Sequence, residues 1–203
     1  MPETDAEGRL LIYTERVLDG DTIAARDTLD NEFKIRLQGI DAPESDQPYG
    51  LDATSLLRGL LIGKTAAVEL HDKDRYERHL GTIYVGEQNV NERMLSMGLA
   101  WHYTKYDRTP AYAAAEALAK RKSVGLWRSG DRIPPWDWRN GSRAVTTEVV
   151  PSIRTTDTTV YITKTGEKYH RGSCRYLRKS RIPIPLSRAK SAYEPCSRCN
   201  PPF

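Results

Sequence analysis

The sequence predicts an α+β protein in which five short strands form a small barrel with three helices, followed by a small metal-stabilised module. Three observations predict this architecture: β-rich segments in the first half, helical apolar patterns between and after them, and a C-terminal segment that concentrates positive charge and cysteine. A five-stranded antiparallel barrel in such a chain is typical of the OB type, whose open face commonly binds nucleic acid or sugar.

The strands are predicted from β-rich runs that turn residues separate. Asp19-Gly20 stands between the first two runs, and Asp-Gly is a strong signal for a hairpin. The predicted strands are LLIYTERV, TIAAR and EFKIRLQGI, with two more at about 65–70 and 80–85.

The helices are predicted from apolar stripes and capping residues. A stripe of leucines predicts a helix over 50–62, which needs a core to cover it. Asn89, with Glu92 three residues later, forms a capping box that begins a second helix. A third begins at Pro110, whose missing N–H costs nothing in a first turn, and ends near Gly125.

Charge and cysteine are divided unevenly along the 203 residues. Residues 160–203 hold ten Lys and Arg against two Asp and Glu, a net +8, whereas the preceding 159 residues sum to −4. All three Cys lie in the same segment, and an odd number at these spacings argues against a disulfide framework. We therefore expect a catalytic domain at 9–139, a flexible linker at 140–159 and a basic module at 160–203.

The composition also limits the classes of protein. With 29% charged residues and no apolar run approaching ~18 residues, a membrane-spanning helix is excluded, and we expect a monomer without membrane contact. The start MPETDAEGR is acidic and polar, unlike a secretory signal. This leads us to expect a cytoplasmic protein, or a secreted one had a signal been removed.

Acidic side chains near the predicted strand ends suggest a site for a hard divalent cation. Asp21, Asp41 and the carbonyl of Ala42 can supply oxygen ligands if the hairpin brings the first and third strands together. Glu44 would then lie nearby to orient or deprotonate a water molecule. The alternative is ordinary turn chemistry at the Asp-Gly and a solvated loop beside the proline.

Two arginines complement these acids. Arg36 and Arg78 each offer a planar fork of donors to phosphate oxygens, where charge builds up in a transition state. Arg36 stands between Ile35 and Leu37 in a half-buried strand and therefore points away from both. An ordinary residue on the solvent face is the alternative interpretation.

Four ordered blocks resemble the signatures of one family. VLDGDTI, IRLQGIDAPE, DRYERHLGTIYV and NERMLSMGLAWHY are similar to successive blocks of the staphylococcal-nuclease-like, or thermonuclease, family, and the ending GLWRSGDRIPPWDWR is similar to bacterial members. The resemblance covers about residues 10–139. It implies a Ca²⁺-dependent phosphodiesterase on an OB-fold barrel that cuts DNA and RNA to 3′-phosphate and 5′-hydroxyl ends.

The resemblance also assigns roles to residues. It implies that Asp21 and Asp41 are calcium carboxylates, that Glu44 activates water, and that Arg36 and Arg78 bind phosphate.

Two positions depart from the family pattern. Ala42 stands where the best-known members have Thr, and the implied calcium ligand there is the backbone carbonyl. The family's Lys-Tyr-Gly-Arg stretch is here Arg75-Tyr76-Glu77-Arg78, from which we expect Arg75 and Tyr76 to contact nucleic acid.

The C-terminal segment carries a second metal signal. His170-x₃-Cys174 and Cys196-x₂-Cys199 supply four ligands of the number and type that tetrahedral Zn²⁺ prefers. The segment has few large apolar residues, so we expect it to need a staple such as structural Zn²⁺. Three free thiols near a surface histidine are the alternative.

This segment resembles the Ada-type metal-binding module, which closes with the same Cys-x₂-Cys. That module uses four Cys, one of them reactive, whereas His170 takes one position here, so a structural site is favoured over methyl acceptance. A +8 module should bind phosphate backbones without reading sequence. The alternative is a basic face that only keeps the protein soluble. The residues expected to make nucleic-acid contacts are Arg171, Arg175, Lys179 and Arg181.

The sequence thus predicts a calcium-dependent nuclease with a zinc module that aids binding of nucleic acid. The leading alternative is a catalytically inactive nucleic-acid-binding or scaffold protein on the same barrel. A third hypothesis, a zinc-dependent repair module beside an inactive barrel, predicts cysteines that react with alkylated DNA.

Overall fold

The computed structural model describes most of the chain, namely residues 1–128, 130, 132–142, 158–163 and 166–202. They divide between two compact units, Met1–Ala144 and Val145–Phe203. Most of the linker predicted at 140–159 lies outside the described residues, since 143–157 are not among them.

A closed barrel forms the first unit. Its strands are β1 (Leu10–Val17), β2 (Thr22–Asp27), β3 (Glu32–Leu37), β4 (Ile40–Asp41), β5 (Thr65–Lys73), β6 (His79–Val85), β7 (Gln88–Asn89) and β8 (Trp101–His102). Antiparallel ladders join β1 to β2, β2 to β3, β1 to β5 and β5 to β6, and a parallel ladder between β3 and β6 closes the ring. The predicted five-stranded barrel is therefore confirmed.

Alternation along the strands fills the barrel. In β3, Ile35 and Leu37 are buried in the core, whereas the side chain of Arg36 emerges on the opposite side, as its position between them predicted. The core continues through the inward residues of the other strands into the helices. Its largest fully buried members include Ile12, Ile23, Leu57, Leu61, Ile83, Met94 and Leu95.

Helices cover the barrel: α1 (Gly50–Leu61), α2 (Val90–Ser96), α3 (Pro110–Lys122) and α4 (Pro135–Arg139). The first three follow the prediction, and the Asn89 side chain caps α2 by accepting a hydrogen bond of 3.0 Å from the Glu92 N–H. The short α4 is additional. Five residues are too few to show a helical period, so the sequence analysis gave no sign of it.

Asp107 ties β8 to the start of α3. Its Oδ1 accepts hydrogen bonds of 2.8 Å from both His102 Nε2 and the Thr109 N–H, and its Oδ2 accepts one of 3.1 Å from the Thr109 hydroxyl. Burial raises the pKa of Asp107, but these hydrogen bonds lower it by more than burial raises it, so the net pKa lies below the ordinary 3.8.

We expect Asp107→Asn to destabilise the protein at pH 7 by about 1–2 kcal/mol. Because the pKa is depressed on folding, the ionised carboxylate stabilises the fold above pH 3.8, and this contribution is lost as the pH falls through the lower folded value. Thermal unfolding of both proteins between pH 7 and pH 3 checks this, with the exposed Asp30→Asn as control. A difference that stays constant with pH would contradict the assignment.

The second unit is smaller and is built from short elements. Its strands and α-helix are β9 (Thr159–Ile162), β10 (Lys168–Tyr169), β11 (Ile182–Pro185), α5 (Leu186–Ala192) and β12 (Glu194–Pro195). An antiparallel ladder joins β9 to β11, and a parallel ladder joins β10 to β12. The apolar interior of this unit is formed by buried Val160, Ile162, Tyr169, Ile184 and Ala189.

Within the part of the chain that the structure describes, none of the helices has both the length and the apolar character needed to cross a lipid bilayer.

Candidate active site

The β1–β2 hairpin and the loop after β4 meet at one end of the barrel. The Asp21 Oδ2 accepts a hydrogen bond of 2.9 Å from the Ala42 N–H, and the Leu37 N–H donates to the Asp21 carbonyl at 2.8 Å. At Gly20, an added Cβ would lie 2.7 Å from the Cβ atoms of Ala42 and Ala53, so only glycine fits this approach. The hairpin therefore brings Asp21 against the Asp41 loop, which is the convergence that the predicted site needs.

Arg36 joins the two buried carboxylates. Its Nη1 contacts Asp21 Oδ1, and its Nη2 donates to Asp41 Oδ1 at 2.8 Å and to the Ile40 carbonyl at 3.3 Å. Both Asp21 and Asp41 are almost wholly buried. The guanidinium thus lies between the predicted metal ligands, with its side chain still partly open to solvent.

The acids at this end of the barrel titrate abnormally. Burial raises the pKa of Asp21, but Arg36 and the Ala42 N–H together lower it by more than burial raises it, so the net pKa is depressed. Burial and the charge of Asp21 hold the pKa of Asp41 above its ordinary value despite its arginine partners. Asp19, which the sequence analysis did not single out as a site residue, has its pKa raised to about 7 by burial and by the neighbouring charge of Asp21. Its place two residues before Asp21 was the available signal.

Arg78 reaches the same cluster through one hydroxyl. Its Nη1 lies 3.4 Å from Thr22 Oγ1, and that hydroxyl donates to Asp21 Oδ1 at 3.0 Å. The rest of the guanidinium pairs with Asp74, Nη2 to Oδ2 at 2.6 Å and Nε to Oδ2 at 2.8 Å. Arg36 therefore contacts Asp21 directly, and Arg78 is linked to it through the Thr22 hydroxyl. Asp74, the ion-pair partner of Arg78, was not predicted as a site residue.

The loop between β5 and β6 exposes an aromatic ring beside Arg78. Tyr76 is 64% exposed, and the Cζ atoms of Arg75 and Arg78 lie 4.8 Å and 5.4 Å from its ring centroid. Two guanidinium groups around one open ring suit a nucleotide, since the ring offers stacking and the cations attract phosphate.

Glu44 has an arginine partner that the sequence analysis did not identify. Arg139, at the end of α4, donates from Nη1 to Glu44 Oε1 at 3.0 Å. The same group pairs with Asp41, Nη2 to Oδ2 at 2.7 Å and Nη1 to Oδ1 at 3.2 Å. The only available signal was the family-like ending PPWDWR, which carried no residue role.

Residues 133–139, which we call the strap, lie across the Asp41 loop. Gln47 Nε2 donates to the Ile133 carbonyl at 2.6 Å, and Trp138 Nε1 donates to Asp46 Oδ1 at 3.2 Å. Trp136 stacks on Tyr103 with centroids 5.0 Å apart and planes only 4° from parallel. The strap is therefore attached to the loop and to the neighbouring aromatic residues at points other than Arg139.

The charge balance suits an added cation. Arg36 pairs with Asp21 and Asp41, and Arg139 pairs with Asp41 and Glu44. Asp19 adds a fourth carboxyl group beside Asp21, so acidic groups outnumber these two guanidinium groups at this end of the barrel. The donors are all oxygens, the ligand type that Ca²⁺ and Mg²⁺ prefer.

The second unit brings its four predicted ligands together. The ligand atoms of His170, Cys174, Cys196 and Cys199 all lie within 4.8 Å of one another. Cys199 Sγ is 3.9 Å from His170 Nδ1 and accepts a hydrogen bond of 3.4 Å from the Arg171 N–H. This group is able to hold a metal ion, and two or three thiolates with an imidazole are the donors typical of Zn²⁺.

Electrostatics distinguishes the ligands of this cluster. Burial raises the pKa of the Cys196 thiol. Hydrogen bonds from the backbone N–H groups of Cys199 and Arg198, and from the Cys199 and Cys174 thiols, lower the pKa by more than that, so the net pKa is depressed. Burial and the neighbouring thiols raise the pKa of Cys199 to about 11. Burial and the charge of Lys168 lower the pKa of His170, which favours the neutral imidazole that binds metals.

The basic residues predicted to contact nucleic acid are placed differently from one another. Arg171 Nε donates a hydrogen bond to the Asn200 carbonyl, so part of this side chain supports the chain segment that follows Cys199. Arg175 and Arg181 lie over the rings of Tyr176 and Tyr161, with Cζ-to-centroid distances of 5.3 Å and 4.4 Å. Lys179 is exposed. All four side chains are exposed, and their contacts with nucleic acid stay a prediction.

Comparison with known proteins matches residues 34–129 to the family described as staphylococcal nuclease homologue. An uncharacterized endonuclease of Escherichia coli O157:H7 is 41% identical over 137 residues, which span 67% of this chain and 86% of that protein. The chain belongs to the staphylococcal nuclease homologue family. Two plant proteins are longer than this nuclease homologue, which covers little more than a third of the length of each. The staphylococcal-like nuclease CAN1 of Arabidopsis thaliana is 44% identical over 117 residues, or 58% of this chain and 36% of CAN1. An uncharacterized 38.1 kDa protein of Capnoides sempervirens is 44% identical over 128 residues, or 63% of this chain and 37% of that protein.

Proposed function

We propose that the first unit is a calcium-dependent nuclease that hydrolyses phosphodiester bonds of DNA, RNA or both to 3′-phosphate and 5′-hydroxyl ends. The observation that carries this proposal is the convergence of Asp21, Asp41 and Arg36, with Glu44 and Arg78 beside them. Family members described as endonucleases support the same general chemistry.

Three groups would hold the metal: the carboxylates of Asp21 and Asp41 and the carbonyl of Ala42. Their buried, oxygen-only donor set and the further acidic residues beside them fit Ca²⁺. When bound, Ca²⁺ supplies Lewis-acid polarisation of a phosphoryl oxygen.

The protein's own side chains perform the remaining functions. Glu44 accepts a proton from the attacking water and orients it for in-line attack at phosphorus. Arg36 and Arg78 donate hydrogen bonds to the nonbridging oxygens as charge builds up on them. Arg75 and Tyr76 on the exposed loop contact the nucleotide beside the scissile bond.

Plasmid cleavage in the presence of Ca²⁺ or a chelator tests the proposal. We expect wild-type protein to nick and linearise plasmid only with Ca²⁺, and Arg78→Ala to lower kcat by about 10²-fold, because one preorganised donor to the phosphoryl group is lost. Arg75→Ala, in the same exposed loop, is the matched control and should weaken binding of substrate more than it lowers kcat.

The same assay discriminates the alternative function. A wild-type protein that retards plasmid in a gel but never cuts it with Ca²⁺ would be a nucleic-acid-binding or scaffold protein on the same barrel. Full activity of Arg78→Ala with ordinary Ca²⁺ dependence would remove Arg78 from the mechanism.

For the second unit, we propose a structural Zn²⁺ held by His170, Cys174, Cys196 and Cys199. The clustered ligand atoms support the site, and the +8 charge of 160–203 supports attraction to phosphate backbones. Joined by a linker at 140–159 to a catalytic domain at 9–139, such a module raises the local concentration of nucleic acid without adding a catalytic contact. We expect the protein to act as a monomer.

A further inference from the structure

Both carboxylate oxygens of Asp41 carry guanidinium hydrogen bonds. Oδ1 accepts from Arg36 Nη2 at 2.8 Å and from Arg139 Nη1 at 3.2 Å, and Oδ2 accepts from Arg139 Nη2 at 2.7 Å. Arg139 therefore makes a bidentate contact with Asp41 through Nη1 and Nη2, the geometry in which an arginine binds a carboxylate most specifically.

A cation that approaches Asp41 meets the positive charge of both guanidinium groups, so it binds more favourably when one of them moves away. Arg36 is confined, because it also pairs with Asp21 and its side chain is only 14% exposed. The side chain of Arg139 is 42% exposed and reaches Asp41 from the solvent side. Arg139 is therefore the donor that can withdraw at the smaller cost, since its guanidinium recovers water contacts as it leaves.

The strap can keep its place while this guanidinium moves. Its other attachments, Gln47 to the Ile133 carbonyl, Trp138 to Asp46 and Trp136 on Tyr103, do not involve the Arg139 side chain. The strap thus holds the head of Arg139 close to the acids, so that withdrawal and return need only a rotamer change of one long side chain.

We infer that Arg139 is a displaceable cation of the nuclease site that occupies Asp41 and Glu44 and competes with the incoming divalent ion for Asp41. The inference rests on the proposed calcium site. On withdrawal from Asp41, the Nη1 contact with Glu44 can persist, so Arg139 also acts as a positioning residue for that carboxylate. It sets the concentration of calcium at which the site fills.

Calorimetric titration of the full chain with Ca²⁺ tests this inference. We expect Arg139→Gln to bind Ca²⁺ about three- to tenfold more tightly than wild type, because a competing charge has been removed. Arg139→Lys keeps the charge but cannot form the two-pronged contact with Asp41, so its Ca²⁺ affinity should lie between those of wild type and Arg139→Gln. Arg121→Gln is the matched control, because it removes one positive charge from an exposed position on α3. It should leave the affinity unchanged.

Thermal unfolding in chelator provides a second readout. Arg139→Gln should melt below wild type there, because Asp41 and Glu44 lose their hydrogen bonds to the Arg139 guanidinium, and saturating Ca²⁺ should remove the difference in melting temperature. A lower melting temperature with unchanged or weaker Ca²⁺ affinity would overturn the inference and leave Arg139 with a structural role only. If the calorimetric titration detects no binding of Ca²⁺ to wild type or to the variant, the calcium site itself is overturned, and the inference with it.

Discussion

Glu44→Gln is expected to lower kcat for plasmid cleavage by about 10³-fold, within the range by which a positioned general base accelerates a reaction. Glutamine keeps the shape of the side chain and its ability to accept a hydrogen bond from Arg139, but it cannot take a proton from water. Because the change leaves the calcium ligands in place, affinity for Ca²⁺ should stay within a few fold of wild type.

Initial rates under saturating plasmid and Ca²⁺ check this expectation. Glu87→Gln, an exposed glutamate in the turn after β6, is the matched control and should retain wild-type activity. A thermal melt of each variant shows whether the fold survives. Cleavage by Glu44→Gln at a rate near wild type, with the fold intact, would mean that another group activates the water.

The second large effect is expected at the proposed zinc site of the C-terminal unit. Cys196 is buried in a small cluster with Cys174 and Leu177, and Cys199 packs against this cluster. Structural zinc contributes about 10–16 kcal/mol in small zinc-dependent modules. We therefore expect Cys196→Ser to lose zinc and to unfold residues 160–203, while the first unit, which has its own core, keeps its melting transition.

Metal analysis and amide-resolved spectra of the full chain measure this outcome. Ser197→Ala, an exposed neighbour in the same Cys-x₂-Cys turn, is the control and should keep one zinc per chain and a folded second unit. If Cys196→Ser retained dispersed signals from the second unit, or if wild-type protein contained no zinc, the structural role of the metal would be wrong.

Much of the barrel could be predicted because its signals are local. Alternation placed Arg36 opposite Ile35 and Leu37, and the Asn89 cap fixed the start of α2. The parallel ladder between β3 and β6 could not be read from any local pattern, because it joins strands that are far apart in the chain. Its presence follows from closure of the ring, which satisfies backbone groups at both edges.

The candidate site was predictable only in part, for the same reason. Asp21, Asp41 and Arg36 lie close together as the motifs suggested, and their catalytic roles stay predictions. Arg139 approaches Asp41 from 98 positions along the chain, and Asp74 takes up much of Arg78. Such contacts depend on tertiary packing, for which periodicity and capping carry no information.

The glycine at position 20 has a wider consequence for this end of the barrel. Because a hydrogen is all that fits between Gly20 and the Cβ atoms of Ala42 and Ala53, the spacing of the hairpin from the Asp41 loop is set by atoms that cannot rotate away from the backbone. If the proposed calcium site forms here, the separation of its ligands is thus fixed before the ion binds, and ions of one radius should be favoured over others.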